Sequence, residues 1–172
     1  MSQLVDRPPS IGVALVADPA GTRPWMRSVA LFSAGGASVI AGGIAAAVTG
    51  PAQWGHGSWV AAFLVLVAGV GQIGVGAGQA HAAPLTPSVA FTAAQCVMWN
   101  AGCAMVIAGT LLSTPTIVLV GSAPLMAVLV MSTVALRGSR AQRSAFLLLY
   151  RLLLVVLLAS IPVGVALAWL RR

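Results

Sequence analysis

Apolar residues run along this chain in five long blocks, separated by short clusters of Pro, Gly, polar residues or Arg. A helix needs roughly 20 apolar residues to cross the hydrocarbon core of a bilayer, and each block has about that length. The pattern predicts membrane-spanning helices over about 28–49, 58–79, 88–112, 116–136 and 145–170. The first should stop at Gly50-Pro51. His81, Pro84 and Pro87 mark the second break, and Ser113-Thr114-Pro115 predicts a tight hairpin. Pro124 should kink the fourth helix, and Pro162 interrupts the fifth. The expected fold is an all-α bundle of about five transmembrane helices, with four spans as the alternative if one proline-broken segment fails to cross.

The segment before the first block, 1–27, is Pro-rich, and its apolar piece Ile11–Ala17 is too short to span. It ends in Arg23, Pro24, Trp25, Met26 and Arg27, a mixture suited to the membrane interface. We expect a loosely ordered cytoplasmic tail. Arg23 and Arg27 ahead of an apolar run imitate a secretory signal, but the run is too long and the preceding tail carries Asp6 and Asp18. An uncleaved first span is the expectation.

Composition sharpens this picture. Hydrophobic residues make up 59% of the chain and charged residues only 6%, against about 25% charged in ordinary soluble domains. From Ser28 to Leu136 there is no Asp, Glu, Lys or Arg. A soluble fold would have no charged face to offer water over that whole stretch. The +7 balance comes from nine basic residues, all Arg, at the edges of apolar blocks. They read as topology signals, so no nucleic-acid partner is expected. The Arg-, Ala- and Gly-rich usage without Lys looks like that of a GC-rich bacterial genome. Cytoplasmic loops carry the Arg excess, so Arg7, Arg23, Arg27, Arg137, Arg140 and Arg143 predict an inside N-terminus and, with five spans, an outside C-terminus. Arg171 and Arg172 dissent, and four spans would satisfy them. In this topology Tyr150 and Trp169 fall at opposite interfaces of the last helix.

Small residues suggest where helices meet. Ala34-Gly35-Gly36-Ala37 is echoed seven residues later by Ala41-Gly42-Gly43-Ile44, which stacks Gly35 over Gly42 and Gly36 over Gly43 on one narrow face. The second block is denser still, with Gly69, Gly71, Gly74, Gly76 and Gly78. A phosphate-binding loop needs a strand before the glycines and a helix after them, in a soluble crevice. Here the glycines lie within an apolar helix, and Gly74 and Gly78 have the spacing of a helix-packing motif.

Candidate chemistry is sparse. Gln72 and Gln79 share one helical face, and an amide in lipid must find a partner. The third block presents Thr92, Gln95, Cys96, Trp99, Cys103 and Thr110 in one stripe, with Asn100 at its margin. Equal depth from the inner ends predicts a Gln72–Gln95 hydrogen bond. These amides either bind helices together or, with Asn100, line a small polar cavity for a substrate or cofactor headgroup. His56 and His81 flank the second span, roughly 37 Å apart along a straight helix, and cannot clamp one metal or haem. Cys96 and Cys103, two turns apart on one helix, are too distant for a disulfide. Arg151 should snorkel to the inner surface, where an anion or lipid headgroup is its candidate ligand.

The missing acids matter most for function, because proton relays and cation-coupled transporters commonly use intramembrane Asp or Glu. We expect no catalytic residues, no metal and no cofactor. The leading expectation is a non-enzymatic multi-pass subunit, an accessory or scaffold in the bacterial plasma membrane. Its partners would be the lipid bilayer and other membrane helices, in a hetero-complex or homo-oligomer. The alternatives are a small oligomeric transporter or pore without an acidic relay and, third, a haem- or cofactor-binding redox component.

Overall fold

The computed structural model describes residues 28–82, 88–135 and 145–170. The expectations for the tail 1–27, for Pro84 and Pro87, for the Arg137, Arg140 and Arg143 loop, for Arg171 and Arg172, and for the side chains of His81 and Trp169 lie outside the described residues. Among the described residues five helices follow one another. Helix α1 is Val29–Thr49. Helix α2 has three parts: α-helical Gly57–Phe63, a π-helical stretch Leu64–Gly71, and α-helical Gln72–Ala82. Then come α3 (Val89–Leu111), α4 (Pro115–Ala135) and α5 (Ala145–Leu170).

Among the described residues four stretches are long and apolar enough to cross a membrane: Val29–Thr49, Gly57–Ala80, Val89–Leu111 and Pro115–Val134. Helix α5 has 26 residues, roughly 39 Å of axis, and its apolar part Leu148–Pro162 packs against the same bundle. Outward positions are themselves apolar, with Ile40, Leu66, Val97 and Leu148 between 62% and 73% exposed. A soluble monomer does not present so much contiguous apolar surface to water. The chain is a multi-pass membrane helical bundle.

The turns explain where the helices stop. Before α3, Ser88 is extended and its side chain accepts from Phe91 N at 3.1 Å, an N-cap that satisfies one orphan donor. After α3, Ser113 has a φ of 51°, Thr114 N donates to Gly109 O at 2.8 Å and Ser113 N to Thr110 O at 3.2 Å. That pair of bonds is a Schellman closure, and Pro115 opens α4 directly, as predicted for a tight hairpin. The same device ends α1. Gln53 has a φ of 50°, with Trp54 N bonded to Thr49 O and Gln53 N to Gly50 O, both at 3.1 Å. Helix α1 thus ends at Thr49, immediately before Gly50-Pro51, where the sequence suggested it would stop. Gly50, the C-cap, keeps helical angles and Ala52 N still reaches Val48 O at 3.0 Å, so the chain leaves the helix through one further turn around Pro51.

Glycine permits the two closest pairings. Helices α1 and α2 form the most extensive contact and α3 and α4 the next; in the second pair a Cβ at Gly102 would lie 2.8 Å from Gly121 O, and one at Gly109 2.7 Å from Val118 N. Helix α1 packs on α2, where a Cβ at Gly35 would lie 3.0 Å from Gly69 O and one at Gly42 2.9 Å from Ala61 O. The paired face anticipated for α1 divides in two. Gly35 and Gly42 are pressed against α2, while a methyl at Gly36 or Gly43 would meet nothing within 4 Å. One residue around a helix is a 100° turn, enough to move from the interface to the outside.

The interior between α2, α3, α4 and α5 is filled by Val75, Trp99, Cys103, Leu125, Val128, Leu129 and Leu154. Leu31 of α1 closes its edge.

Candidate functional site

Four polar side chains of the described bundle converge where α2, α3, α4 and α5 approach one another near one end. Gln79 lies three residues before the end of α2, Ser132 three before the end of α4, Gln95 six after the start of α3 and Tyr150 five after the start of α5. At a rise of 1.5 Å per residue these are depths of roughly 5–9 Å from the helix ends. The antiparallel hairpins therefore bring the four to nearly one level.

Gln79 is 2% exposed and Gln95 and Ser132 are fully buried. Gln79 Nε2 donates to Gln95 Oε1 at 2.7 Å and to Ser132 Oγ at 3.4 Å. Gln95 Nε2 donates to the same Ser132 oxygen at 3.4 Å. Ser132 gives its proton to Val128 O at 2.8 Å, a back-bond within α4. The Tyr150 hydroxyl lies within reach of Ser132 but outside good hydrogen-bond geometry, and Gln79 Oε1 has no partner. The Tyr150 ring reaches this place because position 78 is glycine: the ring fills the space a Cβ would take. Leu153, one turn along α5, fills the corresponding space at Gly74. Both glycines thus admit α5 side chains, whereas those of α1 admit backbone.

The expected bond between Gln72 and Gln95 does not form. Gln95 meets Gln79 instead, and Gln72 Nε2 reaches Cys96 Sγ at 3.3 Å. The reason is register. The prediction ended α2 at Gln79, level with Ser88, but α2 continues helically to Ala82, which sets Gln72 deeper than Gln95. Gln72 and Gln79 do share a face, since both follow the π-helical stretch and seven residues of regular α-helix separate them. The π stretch re-aims that face relative to the first turns of α2, as π segments do.

Asn100 turns back on its own helix. Its Nδ2 donates to Cys96 O at 2.8 Å and lies 3.6 Å from Cys96 Sγ, so its amide nitrogen is engaged away from the Gln79 cluster. Cys96 in turn donates to Ala30 O of α1 at 3.5 Å, making Gln72, Cys96 and Ala30 a weak polar link across three helices. Cys96 and Cys103 are both free thiols. Two further buried polar atoms, Gln72 Oε1 and Trp99 Nε1, have no partner. Trp99 packs beside Gly71, whose Cβ would lie 3.1 Å from Trp99 Cζ2.

Arg151 is exposed, one residue on from buried Tyr150, and so faces away from the cluster. Tyr150 itself turns inward: it is 4% exposed and belongs to the core. His56 caps the start of α2 by its backbone, with Val60 N bonded to His56 O at 3.0 Å. Among the described residues no three His, Cys, Asp or Glu side chains gather as a metal ion would require.

Sequence reasoning missed Ser132 and Tyr150 as members of the site. A serine in an apolar run and a tyrosine near a helix start carry no distinguishing mark. The available signal was the pair Gly78-Gln79, a gap for a ring next to a side chain in need of a partner. No protein-family model, no curated protein and no solved structure matches this chain.

Proposed function

We propose that this protein is a non-enzymatic subunit of a membrane complex, docking another membrane helix on the outer side of α1. One observation carries the reading: Gly36 and Gly43, two turns apart, leave open ground where a methyl group would meet nothing within 4 Å. The glycines of α2 are otherwise engaged. Gly69 faces Val39, Gly71 faces Trp99, Gly74 faces Leu153, Gly76 faces Leu31 and Gly78 faces Tyr150. Small residues on an exposed transmembrane face let a second backbone approach closely, which is how helices associate in lipid without a hydrophobic drive. The buried amides support the same reading, since Gln79, Gln95 and Ser132 bond to one another and tie three helices into a rigid body.

The setting is the plasma membrane of a bacterium, with the N-terminus and the Arg137, Arg140 and Arg143 loop inside and the C-terminus outside. Arg151 then stands at the inner surface, placed to meet lipid phosphate. Copurification from native membranes tests the proposal. A stoichiometric partner that is lost in the Gly36→Leu/Gly43→Leu double variant, with the monomer still folded, is the expected result. Solitary protein in the wild type would end it.

A second reading, a small oligomeric transporter or pore, draws on Gln72 Oε1 and Trp99 Nε1, which are buried without partners in mid-bundle. It requires a self-oligomer and solute flux that falls in Gln72→Leu.

A further inference from the structure

We infer that Gln79, Gln95 and Tyr150 hold a single water molecule inside the bundle, beside Ser132. The inference rests on donors and acceptors and not on the subunit proposal.

A serine hydroxyl has one hydrogen and two lone pairs. Ser132 gives its hydrogen to Val128 O, and its lone pairs face the amide hydrogens of Gln79 and Gln95. It is saturated. Tyr150, within reach of it, can therefore pass it no proton, and its hydroxyl meets no partner in hydrogen-bond geometry. Gln79 has used both amide hydrogens, on Gln95 and Ser132, and its Oε1 lacks a donor. Gln95 Nε2 keeps a second hydrogen beyond its bond to Ser132. Both orphan atoms belong to side chains at most 4% exposed. Gln79 bonds Ser132 through its amide nitrogen and Tyr150 lies within reach of the same serine, which groups both orphan atoms around one place.

The chemistry of the guest follows. It must donate to Gln79 Oε1 and accept from Tyr150, so it is donor and acceptor at once. It must be neutral, because the cluster is made of amides and hydroxyls and an ion would be buried without a counter-charge. It must be small, since Val75 and Val128 are wholly buried, Leu129 is 2% exposed and the Tyr150 ring lies on Gly78. Water meets all three conditions, and buried waters hold such positions with two to four polar partners. Entry is short, the cluster lying within two turns of the helix ends.

Water-edited solid-state NMR on the labelled full chain in lipid bilayers tests this. Magnetisation from water should reach the Gln79 side chain and the Tyr150 ring several times faster than it reaches Val128 and Leu129, which are equally buried but apolar. Tyr150→Phe keeps the ring on Gly78 and removes the hydroxyl; there the Gln79 build-up should fall to the Val128 rate. Wild-type build-up at Gln79 no faster than at Val128 overturns the inference, whether or not the variant folds. So does a Gln79 build-up unchanged in Tyr150→Phe, or one that originates from lipid glycerol protons in place of water.

Discussion

The seam between α1 and α2 and the polar end shared by α2, α3, α4 and α5 hold helices together by opposite means. The first is dry. Gly35, Gly42 and Gly69 bring two backbones to contact, and the neighbours are Ile73, Val65 and Val39. The second is made of side chains that lipid cannot satisfy: two amides and a serine that bond only to one another and to backbone. Lipid tails are as apolar as the side chains they would replace, so burial alone favours neither arrangement. Close packing needs a gap of fixed shape, and a hydrogen-bonded cluster needs partners at matching depth. The first is intolerant of volume; the second is intolerant of losing one member.

The comparison can be broken most forcefully at the dry seam. Gly35→Ala and Gly42→Ala should each destabilise the bundle by about 1–3 kcal/mol, since the added carbon would stand 3.0 Å or less from backbone oxygen of α2. Gly36→Ala and Gly43→Ala, one position around, should stay within about 0.5 kcal/mol. Reversible unfolding in mixed micelles measures both pairs, and equal losses at all four positions would erase the distinction between the two faces.

At the polar end, Gln79→Leu and Gln95→Leu should each cost about 1–2 kcal/mol. A double-mutant cycle sharpens this: Gln79 and Gln95 should couple by about 0.6–1.7 kcal/mol, whereas Gln72 and Gln95 should be additive within about 0.5 kcal/mol. Strong coupling of Gln72 to Gln95 would restore the register expected from sequence and refute the one observed.

The smallest effect belongs between the two regions, where Cys96 receives Gln72 and touches Ala30. Thiols are weak hydrogen-bond partners, so Cys96→Ala should cost less than about 1 kcal/mol. A larger loss would show that this link contributes to the fold as much as the amide cluster does.

Class, helix number and approximate limits were legible in the sequence because they depend on one-dimensional quantities. A charge-free stretch from Ser28 to Leu136 must be solvated by hydrocarbon, and hydrocarbon demands helices whose backbone bonds close internally. The shared face of Gln72 and Gln79 was readable for the same reason, being a matter of local helical period. Which glycines face a neighbour, which glutamine meets Gln95, and that Tyr150 turns inward were decided only in three dimensions. Each depends on the relative rotation and sliding of two helices, fixed here by the π-helical stretch Leu64–Gly71, by the continuation of α2 to Ala82 and by the ring-sized gap at Gly78. Hydropathy along a chain is blind to all three, because moving a helix by one residue changes its partners while leaving its composition untouched.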